Sequence, residues 1–161
     1  LRCLRRAGGP EHQQGLSTRL DAATGVKHIL DAGPLIAALN RDDRYHRWAC
    51  STLDRLGPPF YTCPEALAEA AAMTGQAAAI VEMVRSGEVV LSFDLSAQAA
   101  SVLALLKKYA DREMDLADAC IVRMSELERD CRVVTVDRRD FSVYRRNGRD
   151  LIPLIAPPAR A

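Results

Sequence analysis

The sequence predicts an α/β domain with a mostly parallel central sheet and helices on both faces, and three observations predict it. From Lys27 onward, short apolar or β-branched runs alternate with longer segments at helical spacing. Gly, Pro and Asp mark almost every change of pattern. Two of the predicted strands, Leu30-Asp31 and Val136-Asp137, run straight into aspartate, at the carboxyl edge where open α/β sheets carry their functional crevice.

The first strand is the run His28, Ile29, Leu30, and Gly33-Pro34 opens a helix through about Asn40, with proline well placed at a first helical position. A second helix is expected from roughly Asp43 to Leu56, ended by Gly57-Pro58-Pro59. Tyr45, Trp48 and Leu53 on it are expected to serve packing or an apolar contact surface. A short strand follows over Phe60 to Thr62, and Cys63-Pro64-Glu65 begins an alanine-rich helix through about Met73. Gly75 breaks the pattern, and another helix leads to Gly87.

Glu88 to Phe93 is β-branched and apolar, a further strand. Leu95 to Tyr109 then has helical spacing in Leu95, Val102, Leu103, Leu105 and Leu106. A helix from Asp115 to about Arg129 leads into the clearest strand, Arg132 to Val136. The domain spans residues 26–156, with a flexible tail over 157–161. Residues 1–25 mix Gly, Gln, Arg and Ser without apolar periodicity and read as a disordered or non-native extension. Val26, Lys27 and His28 resemble the true start of a protein.

At 161 residues, 48% hydrophobic and 27% charged, the chain has the balance of one soluble globular domain. Its longest apolar stretches, such as Ala77 to Val81 and Val102 to Leu106, fall far short of the roughly 18 residues of a spanning helix. Arg2, Arg5 and Arg6 precede Gly8, Gly9 and Pro10 where a secretory signal needs an apolar region, so export is not expected. Five scattered cysteines without CxxC spacing suggest no zinc and fit a reducing cytoplasm. The net charge of +1 hides four arginines before residue 25 and leaves the domain close to neutral. Any nucleic-acid contact must therefore come from a local patch.

The chemistry is carried by acids. Asp31 and Asp137 lie more than a hundred positions apart, yet both fall at the same sheet edge. Glu69 lies in a helix within Leu67-Ala68-Glu69-Ala70, and Asp115 and Asp118 are three apart, so one helix face presents both. Alanines around Glu69 and Asp118 keep these surfaces low enough for a metal and a phosphate to approach. Hard oxygen ligands suit Mg²⁺ or Mn²⁺. Several carboxylates in one place raise one another's pKa, which a divalent cation reverses; it also activates water and offsets charge on a phosphodiester.

Several of the acids have a plainer reading. Asp31 and Asp115 could cap helices, Glu69 could sit on a solvated face, Glu65 answers a helix dipole, and Asp140 could cap a short segment from Phe141 to Tyr144. The arginines Arg138, Arg139, Arg145, Arg146 and Arg149, interleaved with Phe141 and Tyr144, offer phosphate contacts and base stacking or only a solvated face. A haloacid-dehalogenase-like phosphatase needs an aspartate where Gly33 stands. A response-regulator receiver needs an acidic neighbour for Asp31, which has none.

Ile29-Leu30-Asp31-Ala32-Gly33-Pro34-Leu35, Leu67-Ala68-Glu69-Ala70, Met114-Asp115-Leu116-Ala117-Asp118-Ala119 and Thr135-Val136-Asp137-Arg138-Arg139-Asp140-Phe141 resemble, in order and spacing, the successive motifs of VapC-type PIN-domain toxins. The resemblance runs from about Lys27 to Leu154. It implies a PIN-like fold and a Mg²⁺-dependent (or Mn²⁺-dependent) cytoplasmic endoribonuclease. It also implies the toxin of a type II toxin–antitoxin pair, homodimeric and silenced by a VapB-like antitoxin. The family's four acids fall on Asp31, Glu69, Asp118 and Asp137, with Asp115 able to take the place of the third; Arg138, Arg139, Arg145 and Arg146 are the candidate RNA contacts. The alternative is a catalytically inert PIN scaffold that binds RNA or a protein partner.

Overall fold

The computed structural model of the chain describes residues 25–158. The expected extension before Val26 and most of the expected tail after Ala156 lie outside the described residues. Within them the chain runs through strand β1 (Lys27–Leu30), helices α1 (Ala32–Leu39) and α2 (His46–Leu56), strand β2 (Phe60–Thr62), helices α3 (Pro64–Thr74) and α4 (Ala77–Arg85), and strand β3 (Val89–Leu91). Helix α5 (Leu95–Lys108), a 3-10 turn (Ala110–Arg112), helix α6 (Leu116–Leu127), strand β4 (Cys131–Val134) and helix α7 (Arg138–Phe141) follow. The chain ends in the two-residue strands β5 (Arg145–Arg146), β6 (Asp150–Leu151) and β7 (Leu154–Ile155).

Five strands form one sheet in the order β3-β2-β1-β4-β7, every neighbouring pair parallel. This is the predicted α/β architecture, a parallel sheet flanked by helices. Ile29, Leu30, Val133 and Val134 in the two inner strands are at most 1% exposed. Strands covered on both faces read as apolar runs rather than as alternation. The register pairs Leu30 with Val134. Asp31 and Thr135 therefore leave the sheet side by side.

Most boundaries match the sequence to within two residues, and the larger departures have local causes. Helix α2 begins at His46 rather than Asp43, because the Asn40 and Asp43 side chains accept hydrogen bonds from the Asp42 and Tyr45 backbone N–H groups and hold the chain in turns. Strand β3 stops at Leu91, since Asp94 turns the chain by capping α5 through the Ser96 N–H, at 2.9 Å. Strand β4 ends at Val134, short of the expected Val136. The expected segment from Phe141 to Tyr144 capped by Asp140 is corrected: the helix is Arg138–Phe141, Asp137 is its cap, and Asp140 lies inside it. On α2, Leu53 is 1% exposed, and Tyr45 and Trp48 pack against the core, so these side chains serve packing. No helix among the described residues is long and apolar enough to cross a membrane.

One glycine is required by space. A Cβ on Gly33 would stand 2.5 Å from Val136 Cγ2, so α1 can approach the segment after β4 only without a side chain there. Gly33→Ala is expected to lower the thermal midpoint by several degrees, because overpacking costs about 1–3 kcal/mol and outweighs the alanine's helical advantage. The double change with Val136→Ala, measured in the same melt, should recover most of the loss. Equal destabilisation in the single and double variants would contradict this account.

Candidate active site: a carboxylate cluster at the sheet edge

Asp31 follows β1 directly and caps α1, with φ −75° and ψ 163°. One of its oxygens accepts the Ala32 N–H at 2.8 Å, and the other accepts the Thr135 hydroxyl at 2.7 Å. The capping reading of Asp31 is thus observed. Asp31 is only 7% exposed, and burial raises its pKa to about 6 against the pull of those two hydrogen bonds, with smaller upward contributions from Asp115 and Asp137.

Thr135 is fully buried and does two things. Its hydroxyl donates to Asp31 and accepts the Asp137 N–H at 2.9 Å. Asp137 is exposed and caps α7 by accepting the Asp140 N–H at 2.9 Å. Sequence reasoning missed Thr135. Its sequence position two residues before Asp137 does not reveal the role, because only the β1–β4 register brings it beside Asp31.

Helix α6 brings two more acids. Asp115 is exposed and caps the helix by accepting the Asp118 N–H at 2.7 Å. Asp118 caps nothing. It is partly buried and accepts a 3.1 Å hydrogen bond from the Tyr144 hydroxyl. Burial and the charges of Asp115 and Asp31 raise its pKa to about 8, despite the Tyr144 bond, with a lesser addition from Asp137. Glu69, partly buried on α3, is raised by burial and then by Asp115 and Asp31. Glu69, Asp115, Asp118 and Asp137 all lie within electrostatic reach of Asp31, although the five acids come from four separated parts of the chain.

The donor set fits a hard divalent cation. All five candidate donors are carboxylates, three of them fixed by backbone N–H groups, and the two that cap nothing, Glu69 and Asp118, have pKa values raised first by burial and then by neighbouring carboxylates. No three of these carboxylates bring oxygens within 4.8 Å of one another; among the described residues only Cys63, Glu65 and Cys120 do so.

The expected RNA contacts fare unevenly. Arg138 donates to the Pro157 and Ala156 carbonyls. Arg145 binds the carbonyls of Ser142, Val143 and Tyr144, and Arg146 those of Ser125 and Arg129. Arg139 is exposed, and its charge acts on Asp140, whose pKa is raised by burial and by Asp137. The notion that Phe141 and Tyr144 stack on bases is overturned, since each is 1% exposed and their rings pack edge to face in the core. Tyr144 instead reaches Asp118. A depression lined by Lys27, Ile29, Tyr61, Ser92, Met124, Leu127 and Glu128 contains none of the acids.

Neither a scan against protein-family models nor a search of curated proteins finds a match to this chain.

Proposed function

We propose that this protein is a divalent-cation-dependent endoribonuclease of the PIN-domain class, hydrolysing RNA phosphodiester bonds. On the motif resemblance, it acts in the cytoplasm as the toxin of a VapBC-type pair, homodimeric and restrained by a VapB-like antitoxin. The observation that carries the reading is Asp118. A partly buried carboxyl that caps nothing, held at a pKa of about 8 opposite Asp31 and Asp115, is unfavourable for the fold alone and favourable as a cation ligand.

Asp31, Glu69, Asp118 and Asp137 would hold the cation, with Asp115 one turn from Asp118 available directly or through water. When bound, Mg²⁺ or Mn²⁺ lowers the pKa of a coordinated water and offsets charge on the phosphate. The chain's own groups supply the positioning. Thr135 fixes one oxygen of Asp31 and the backbone of Asp137 together. The Tyr144 hydroxyl orients Asp118. Of the alanines beside these acids only Ala68 is exposed; Ala70, Ala117 and Ala119 are buried in the core and hold α3 and α6 in place. Arg139, exposed beside Asp137, is the arginine best placed for a phosphate.

The test is cleavage of total RNA by the purified, antitoxin-free chain with Mg²⁺, with Mn²⁺ and with EDTA, wild type beside Asp31→Asn. Discrete cuts that need metal and vanish in the variant are expected. No cleavage by folded wild type under either metal would sink the nuclease reading in favour of an inert scaffold that binds RNA or a protein partner.

A further inference from the structure

A second cluster lies apart from the carboxylates. Cys63 is the residue before α3, Glu65 lies in the first turn of that helix, and Cys120 lies on α6, which packs against α3. The two sulfurs and a Glu65 carboxylate oxygen all lie within 4.8 Å of one another. Both cysteines are 0% exposed and free of disulfides. Glu65 Oε2 is buried and has no hydrogen-bond partner among the described residues.

We propose that Cys63, Glu65 and Cys120 form a second metal site, selective for a soft or borderline divalent cation such as Zn²⁺. Two sulfurs and one oxygen are zinc's donor types and poor ligands for Mg²⁺. Metal bonds of about 2.3 Å to sulfur and about 2.1 Å to oxygen put tetrahedral donors within about 4 Å of one another, so a small inward movement closes the site. The fourth position falls to the second Glu65 oxygen or to a water. The orphaned oxygen is the feature that two buried cysteines packed as small apolar side chains leave unexplained. A cation satisfies it.

Binding exchanges the thiol protons of Cys63 and Cys120 for the cation, which forms two metal–sulfur bonds and releases two protons. Without it, the neighbouring Cys120 and burial push the Cys63 thiol up, holding it protonated. The ion would tie the start of α3, one turn before Glu69, to the turn of α6 that follows Asp118. It thereby fixes the two helices that supply these acids, whatever chemistry the acids perform. Zinc is not legible from spacing here, because Cys63 and Cys120 come together only through helix packing.

The test uses the full, reduced chain and Co²⁺ as a spectroscopic probe. One equivalent is expected to give thiolate-to-cobalt charge-transfer absorption, displaced by Zn²⁺ and unaffected by excess Mg²⁺. Cys63→Ser and Cys120→Ser should abolish the band, and Glu65→Gln should weaken Co²⁺ binding by about tenfold or more. Asp118→Asn should keep the band, which separates this site from the carboxylate cluster. Folded, reduced wild type that gives no thiolate band overturns the proposal even where the serine variants fail to fold. So does a band that survives both serine changes, or a Cys63–Cys120 disulfide in protein that takes up no metal after reduction.

Discussion

Asp118→Asn is expected to act in opposite directions on activity and on stability. Cleavage should fall by about a hundredfold or more, the scale seen when one electrostatic contact to a reacting phosphate or oxyanion is removed. The metal-free protein should become more stable. The fold must hold the Asp118 carboxyl protonated near neutrality, at a pKa of about 8, against a reference value of 3.8. Asparagine is neutral without that cost and can still accept the Tyr144 hydrogen bond. Each kcal/mol recovered raises the thermal midpoint by about 2–8 °C for domains of this general size. Scanning calorimetry in EDTA near neutral pH measures it. A lower midpoint in the variant would mean that Asp118 is held for structure rather than for a cation.

The second large effect is the pH dependence of the metal-free protein. Asp118 and Asp31 have folded pKa values of about 8 and about 6, both above the 3.8 expected unfolded, and Glu69 is shifted in the same direction. Between those limits the folded state binds more protons than the unfolded state. Stability therefore falls as pH rises from about 4 to about 8, through Asp31 and Asp118 together up to about pH 6 and through Asp118 alone from there to about pH 8. Mg²⁺ should oppose the fall, stabilising little near pH 5 and most near pH 8. Melting curves across that range, with EDTA and with Mg²⁺, give the comparison. A metal-free midpoint that rises steadily through this window would contradict the clustering of these acids.

The fold was legible because the inner strands are apolar runs and the breakers stand between elements. Gly57-Pro58-Pro59 ends α2, Gly75 ends α3, and Asp94 starts α5. The two-residue strand β7 was not, since Leu154 and Ile155 carry too little pattern and form a strand only by pairing with Val133 and Val134. The β5–β6 hairpin had a signal in Asn147-Gly148, both at positive φ, hidden inside what reads as a basic run. That run explains the weakest site assignment too. Arg138, Arg145 and Arg146 look like free charges in a sequence, whereas their guanidinium groups close carbonyls at chain turns.

The unusual surroundings of Asp31 and Asp118 were legible for a physical reason. A carboxylate just after a buried strand or inside an alanine-lined helix conflicts with its surroundings, and Asp31 and Asp118 show that conflict in their pKa values. Partners reached across the fold were not legible. Thr135 meets Asp31 only through the β1–β4 register, and the Tyr144 hydroxyl reaches Asp118 from the far side of α7 in sequence.

The most direct measurement of the central claim is calorimetric titration of the purified protein with Mn²⁺ near pH 7.5, wild type beside Asp31→Asn and Asp118→Asn. Saturable binding with proton release, lost in both variants while Co²⁺ uptake at the cysteine cluster persists, is the predicted result. Folded wild type that takes up no Mn²⁺, or variants that bind it as tightly as wild type, would contradict a cation site at the sheet edge.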